Sequence, residues 1–164
     1  MKKVLVLYYS RSGNTQRLAR AIAAALGADF EPIVETRARR GIRGWMRSGF
    51  EARTKRLTSI EPPLHELRRY DLVVLGTPTW ASAPSSPVRT LVAQRGAELR
   101  SVAFFCTCAE RGAEGTLREL SSLSGKAPVD VLALTEHELR GDYAPKLDRF
   151  VRELRRSLEP AAAA

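Results

Sequence analysis

Short apolar runs alternate along this chain with stretches whose apolar residues recur every three or four positions. Val4-Leu5-Val6-Leu7-Tyr8-Tyr9 is unbroken and apolar, the pattern of a strand buried on both faces. Over residues 14–26, Leu18, Ile22, Ala25 and Leu26 recur at helical spacing and predict a helix. Residues 29–34 predict a short second strand, with Pro32 suited to a sheet edge. A third strand is expected at 71–77, a fourth at 102–106 and a fifth at 129–134. A helix capped by Ser85 or Ser86 runs through Pro87, Val88, Leu91 and Val92, with the proline allowed in its first turn. Further helices are expected at 115–123 and at 143–158. The last carries Leu147, Phe150, Val151 and Leu154 on one face, between Asp142 and Pro160. Strands joined by crossover helices predict a parallel, doubly wound α/β sheet with right-handed connections. One domain is expected over 1–160, followed by a disordered tail of four alanines at 161–164.

The chemistry is concentrated in three loops that leave the carboxyl ends of predicted strands, where ligands of such sheets bind. The first is Ser10-Arg11-Ser12-Gly13-Asn14-Thr15. It leads into a helix N-terminus, whose unpaired N–H groups and positive dipole end form an anion seat. Gly13 lets the backbone approach an anion, and the hydroxyls of Ser10, Ser12 and Thr15 can donate to phosphate oxygens. An ordinary N-cap is the plainer reading of the same residues. The second loop is Thr77-Pro78-Thr79-Trp80-Ala81-Ser82-Ala83-Pro84, and the third is Thr107-Cys108-Ala109-Glu110-Arg111-Gly112. An anion seat facing a tryptophan suggests a ligand with both a phosphate and a flat ring, such as a nucleotide or a flavin.

These loops resemble the flavin-binding loops of the flavodoxin-like family. Ser10-Arg11-Ser12-Gly13-Asn14-Thr15 is similar to the family's phosphate loop for flavin mononucleotide (FMN). Gly76-Thr77-Pro78-Thr79-Trp80, followed by Pro87-Val88-Arg89, resembles its second flavin loop. The resemblance implies a three-layer sandwich, a five-stranded parallel sheet of order 2-1-3-4-5 with helices on both faces, and noncovalent FMN at its carboxyl edge. It implies that Ser10, Arg11, Ser12, Gly13, Asn14 and Thr15 hold the phosphate. Thr77, Pro78, Thr79 and Trp80 would line the isoalloxazine ring, and Thr107, Cys108 and Gly112 would close its other side. Trp80 would stack on the ring or shield it, unless it packs against the protein instead. No catalytic side chain and no metal is expected, because the flavin itself supplies the redox chemistry.

Other occupants of this fold lack their required residues. No Gly-Lys-Ser or Gly-Lys-Thr ends a phosphate loop, and Gly13 stands without the further glycines of a dinucleotide fingerprint. A receiver domain needs an aspartate where Thr77 ends the third strand. A phosphatase loop needs a cysteine and an arginine six residues apart, which neither Cys106 nor Cys108 forms with Arg111.

Charge sets this chain apart from the acidic electron carriers it resembles. Its formal net charge is +9, and residues 37–56 carry eight basic residues against Glu51 alone. Ile42, Trp45, Met46 and Phe50 in that stretch fall on one side of a helix. The stretch reads as a solvated helix covering the sheet, or as a lid that draws an acidic partner, a phosphate-bearing substrate such as NADPH, or an anionic membrane surface. Positive charge also brings weak, salt-sensitive affinity for nucleic acid, but no recognition module is visible. His65 and His137 lack ligand spacing and read as surface residues. Cys106 and Cys108 lie too close together for a usual structural disulfide. They read as small buried hydrophobes rather than a redox pair, and a reducing, cytoplasmic location is the default. No run approaches a membrane span or a signal peptide.

Two function classes follow. The first is an electron carrier that exchanges electrons with a protein partner through bound FMN. The second is an NAD(P)H-dependent reductase of quinones or other small acceptors. An oxidase of a porphyrin-type substrate at a membrane is a third reading that the cationic stretch permits.

Overall fold

A computed structural model describes residues 2–36 and 57–160. The strands are β1 (Val4–Tyr8), β2 (Asp29–Pro32), β3 (Leu72–Trp80), β4 (Ala83–Pro84), β5 (Val102–Cys108) and β6 (Val131–Thr135). The helices are α1 (Asn14–Leu26), α2 (Ser86–Arg95), α3 (Ala113–Ser124), α4 (Glu136–Arg140) and α5 (Ala144–Leu158), with a 3-10 turn at Leu67–Arg69. Five strands pair in parallel in the order β2-β1-β3-β5-β6, and β4 folds back antiparallel onto the end of β3. Counted without β4, this is the expected 2-1-3-4-5 sheet.

Period-two alternation divides the core between the two faces of the sheet. Val4, Val6 and Tyr8 of β1 join Ile22 of α1 and Phe150 and Leu154 of α5 on one face. Leu5, Leu7 and Tyr9 join Val88 and Leu91 of α2 and Leu120 of α3 on the other. The sheet is therefore the middle of three layers, and β1 is apolar throughout because both of its faces are covered. Pro32 lies on the outermost strand of the described sheet, where its missing N–H costs no ladder bond. Among the described residues no helix is long and apolar enough to cross a membrane.

Several element ends differ from the sequence reading. Strand β3 continues to Trp80 and β5 to Cys108, three and two residues past their expected ends. Pairing explains both extensions: Pro78 still has Thr107 as its neighbour, and Thr79 and Trp80 gain Pro84 and Ala83. Strand β6 starts at Val131 rather than at residue 129. Strand β2 stops at Pro32, opposite the last residue of β1, rather than at residue 34. Helix α3 starts at Ala113, immediately after left-handed Gly112, rather than at residue 115. The two-residue β4, the short α4 and the 3-10 turn at Leu67–Arg69 were not anticipated. The helix and lid read into 37–56 and the tail at 161–164 lie outside the described residues.

Candidate functional site

The chain leaves β1 at Tyr8 and turns before α1 through Gly13, whose φ of 99° is left-handed. Glycine adopts that conformation without strain. A Cβ there would meet nothing within 4 Å, so this stretch of backbone is open to a ligand. The Gly13 N–H donates to Ser10 Oγ (3.1 Å), and the Gly13 carbonyl accepts from the Arg17 N–H (2.9 Å) to start the helix. No acidic side chain of α1 itself lies in its first turn, and the carboxylate that approaches its positive end comes from Glu136, at the Asn14 side chain. Arg11 and Ser12 are exposed beside that end. Thr15 is buried, and its hydroxyl lies 2.8 Å from that of Thr107 at the end of β5. One hydrogen bond thus ties the first loop to the third.

The second loop comes off the extended end of β3. Thr77 is fully buried, and its Oγ1 accepts from the Ser85 N–H (2.9 Å). It therefore fixes the turn into α2 and does not line the pocket. Trp80 meets Tyr9 edge-on, with ring centroids 5.6 Å apart at 88°. It packs against the core on one side and forms pocket wall on another. Gly112 (φ 97°) precedes α3. A Cβ there would lie 2.8 Å from Ser82 Oγ, so Gly112 seats the β3–β4 turn and is not a pocket residue.

These loops enclose a pocket of about 210 Å³ at the carboxyl edge of the sheet. Arg11, Ser12 and Asn14 line it from the first loop, and Pro78, Thr79 and Trp80 from the second. Thr107 and Cys108 line it from the third. Of the remaining residues expected in the site, Ser10, Gly13 and Thr15 shape the first loop behind this lining, while Thr77 and Gly112 brace the hairpin.

Two lining residues escaped the sequence reading, Ala109 and Glu136. Glu136 opens α4, and its Oε1 accepts from Asn14 Nδ2 at 3.4 Å. The signal for α4 was present in Thr135-x-x-Glu138, a capping box in which Thr135 Oγ1 accepts from the Glu138 N–H and the Glu138 carboxylate accepts from the Thr135 N–H. The Lys146 ammonium beside it and the Thr135 hydrogen bonds hold the Glu138 carboxyl down at about 2.

Cys106 and Cys108 are buried free thiols. Burial pushes the Cys106 thiol up to about 12, and burial together with Glu138 and Glu136 raises that of Cys108. Thiolate chemistry is accordingly disfavoured at both. The histidines lie apart from the pocket. His65 Nδ1 contacts the buried Glu31 carboxylate at 2.5 Å, and His137 is exposed on α4.

No family model matches the sequence. Solved structures do match the fold. A protein of Bacteroides uniformis superposes with a TM-score of 0.76 at 21% identity, over 92% of this chain and 98% of its own. A flavoprotein of Lactobacillus acidophilus in complex with FMN gives 0.72 at 22% identity, over 85% and 97%. Oxidised flavodoxin 1 of Bacillus cereus gives 0.59 at 20%, over 96% and 100%. The architecture is thus that of the flavodoxin-like fold.

Proposed function

We propose that this protein binds FMN noncovalently at the carboxyl edge of its sheet and exchanges electrons with a protein partner through it. The observation that carries this reading is the convergence of an anion seat, an aromatic wall and a third loop on one pocket. The donors suit a phosphate monoester: Arg11 and Ser12 are exposed beside left-handed Gly13 and the N-terminus of α1, whose own first turn carries no acidic side chain. Pro78 and Trp80 give a flat ring an apolar wall. Structural similarity to an FMN-bound flavoprotein supports the same assignment. When bound, the flavin supplies the redox chemistry. The chain's own residues seat the phosphate, shield the ring from water and present fixed N–H dipoles from the second and third loops. The formal net charge of +9 favours an acidic partner, with an on-rate that falls as salt is added.

The visible absorption spectrum of the purified protein, with FMN added where it is colourless, tests the reading. A bound-flavin spectrum with stoichiometric uptake is expected, and no uptake at excess FMN rejects it. Steady-state oxidation of NADH and NADPH then separates carrier from reductase, and sustained turnover with a quinone acceptor would replace the carrier assignment by the enzymatic one. Trp80→Ala should weaken FMN binding several-fold, since aromatic stacking adds about 0.5–1.5 kcal/mol beyond area burial.

A further inference from the structure

The segment from residue 61 to residue 69 lies against β2 and holds one leucine almost wholly in water. Leu64 is 91% exposed, the most of any large apolar residue among the described ones. A lone exposed leucine is ordinary, but this one is fixed in place. The buried Glu31 carboxylate of β2 accepts from the Leu64 N–H (2.6 Å) and the His65 N–H (3.1 Å), and it also contacts His65 Nδ1 (2.5 Å). Pro62 and Pro63 restrict the backbone just before the leucine. A buried carboxylate needs donors, and two of them here are the backbone of the exposed residue and its neighbour. An apolar anchor ordered in advance loses little entropy when a partner covers it.

Beside the leucine lies an apolar slot of about 100 Å³, room for a small aliphatic group. Buried Leu7 and Ile33 form its floor, and Val34, Pro62, Pro63 and Leu64 itself form its rim. Val34 is 42% exposed, so knob and slot belong to one apolar patch. A knob beside its own slot is self-complementary. A two-fold axis between two copies seats each leucine in the slot of the other.

Charge on the segment selects the same occupant. The formal net charge of +9 sets copies of this chain against one another, yet Glu61 and Glu66 balance Arg68 and Arg69 within the segment. A two-fold axis across the segment runs the two copies antiparallel, so Glu61 of one copy meets Arg68 of the other. Both side chains are exposed. Glu61 forms no ion pair among the described residues, and Arg68 reaches only Glu98, at 3.8 Å.

We infer that the Leu64 patch is the contact surface of a two-fold dimer of this chain. The dimer goes beyond the FMN reading and does not depend on it.

Sedimentation velocity of the full chain tests the dimer at concentrations up to about 200 µM, because a contact resting on one leucine per copy belongs to the weak class, with Kd about 10–100 µM. The wild type should show a monomer–dimer equilibrium. Leu64→Ser should raise Kd by about 100-fold, since two leucines lose their cover at once and each is worth roughly tenfold. Leu64→Met keeps the apolar bulk and should stay within about tenfold of the wild type. The side chain is exposed, so both variants should fold, and thermal unfolding of dilute protein checks this. Arg68→Glu lowers the net charge and would tighten a contact governed by general repulsion. The pairing with Glu61 requires the opposite, an association weaker by about fivefold. Adding Glu61→Arg to Arg68→Glu should restore the wild-type Kd.

A wild type that stays monomeric over this range overturns the inference. A dimer that persists in Leu64→Ser with unchanged Kd also overturns it, because the contact would then lie on another face. Tighter association in Arg68→Glu, or no recovery in the double variant, overturns the two-fold pairing and the assignment with it.

Discussion

The Cβ that Gly115 lacks would stand 2.6 Å from the carbonyl oxygen of Ser82. Helix α3 and the tip of the β3–β4 hairpin therefore meet backbone to backbone. Gly112 deepens the same seat, since a Cβ there would come within 3.0 Å of Ser82 Cα. The hairpin tip follows directly on Trp80, so this contact positions the aromatic wall of the pocket. Alanine for glycine in a helix interior ordinarily stabilises by about 0.5–1 kcal/mol. At Gly115 the sign should reverse, with a net loss of roughly 1–3 kcal/mol from overpacking. Urea unfolding of Gly115→Ala should show a lower midpoint at unchanged slope, together with weaker FMN binding. A midpoint at or above that of the wild type would mean that the hairpin moves aside freely.

The turn of that hairpin is built from residues poorly suited to it. Ala81 and Ser82 have φ of 51° and 60°, and the Trp80–Ala83 pairing leaves a two-residue loop between them. Two-residue hairpin loops with both φ values positive favour Asn-Gly or Asp-Gly, because each ordinary L-residue there is strained. The double variant Ala81→Asn, Ser82→Gly should gain about 1 kcal/mol of stability, read as a higher denaturation midpoint. No gain would mean that the Ser82 side chain contributes as much through its contact with Gly112 as its backbone strain costs.

The same turn shows where the sequence stops being legible. Apolar runs and helical spacing carry the five parallel strands and the long helices, because burial on both sheet faces leaves its mark directly in the composition. The α1 reading matches at both ends, bounded by left-handed Gly13 and Gly27. Strand β4 has two residues, too few for any period, and Ala-Ser carries none of the usual hairpin-turn residues. Thr77 and Gly112 sit in loops of ligand-binding character, yet they serve the hairpin. Their partners, Ser85 and Ser82, are set by tertiary packing rather than by spacing. Thr15 and Thr107 both read as ligand residues from their loops, whereas the bond between them spans 92 positions and leaves no local trace. Glu136 was missed for a different reason. Its helix announces itself only through the capping box at Thr135 and Glu138, without an apolar stripe long enough to register.

The Thr15–Thr107 bond offers a clean test of how the loops are coupled. Both residues are buried, and the hydroxyls lie 2.8 Å apart. Thr15→Val keeps the shape, removes one hydroxyl and strands the other. That should cost about 1–3 kcal/mol, the penalty of an unsatisfied buried polar group. The double variant Thr15→Val, Thr107→Val removes both groups and should cost less than the sum of the single changes. Strict additivity of the unfolding free energies would show that the hydroxyls act independently. Weaker FMN binding in Thr15→Val with an intact fold would place the coupling on the path between phosphate loop and third loop.

Stability should fall at both ends of the pH range, for opposite reasons. The Glu138 carboxyl is held at about 2 against a usual value of 4.5. Its contribution is therefore complete above pH 4.5 and is lost as pH falls toward 2. The Cys106 thiol is pushed from 9.0 to about 12. Folding keeps it protonated, so that contribution is complete below pH 9 and is lost as pH rises toward 12. Burial also raises the Tyr8 and Tyr70 phenols, so Cys106 accounts for only part of the alkaline loss. Glu138→Gln should flatten the fall in unfolding free energy between pH 4.5 and 2, and should also lessen the alkaline loss slightly, because the Glu138 charge helps to raise the Cys108 thiol. Cys106→Ala should start from a lower stability, because it opens space in the core. It should then lose less than the wild type between pH 9 and 12. Equal alkaline slopes in Cys106→Ala and wild type would show that the thiol ionises as readily folded as unfolded, contrary to its burial within β5.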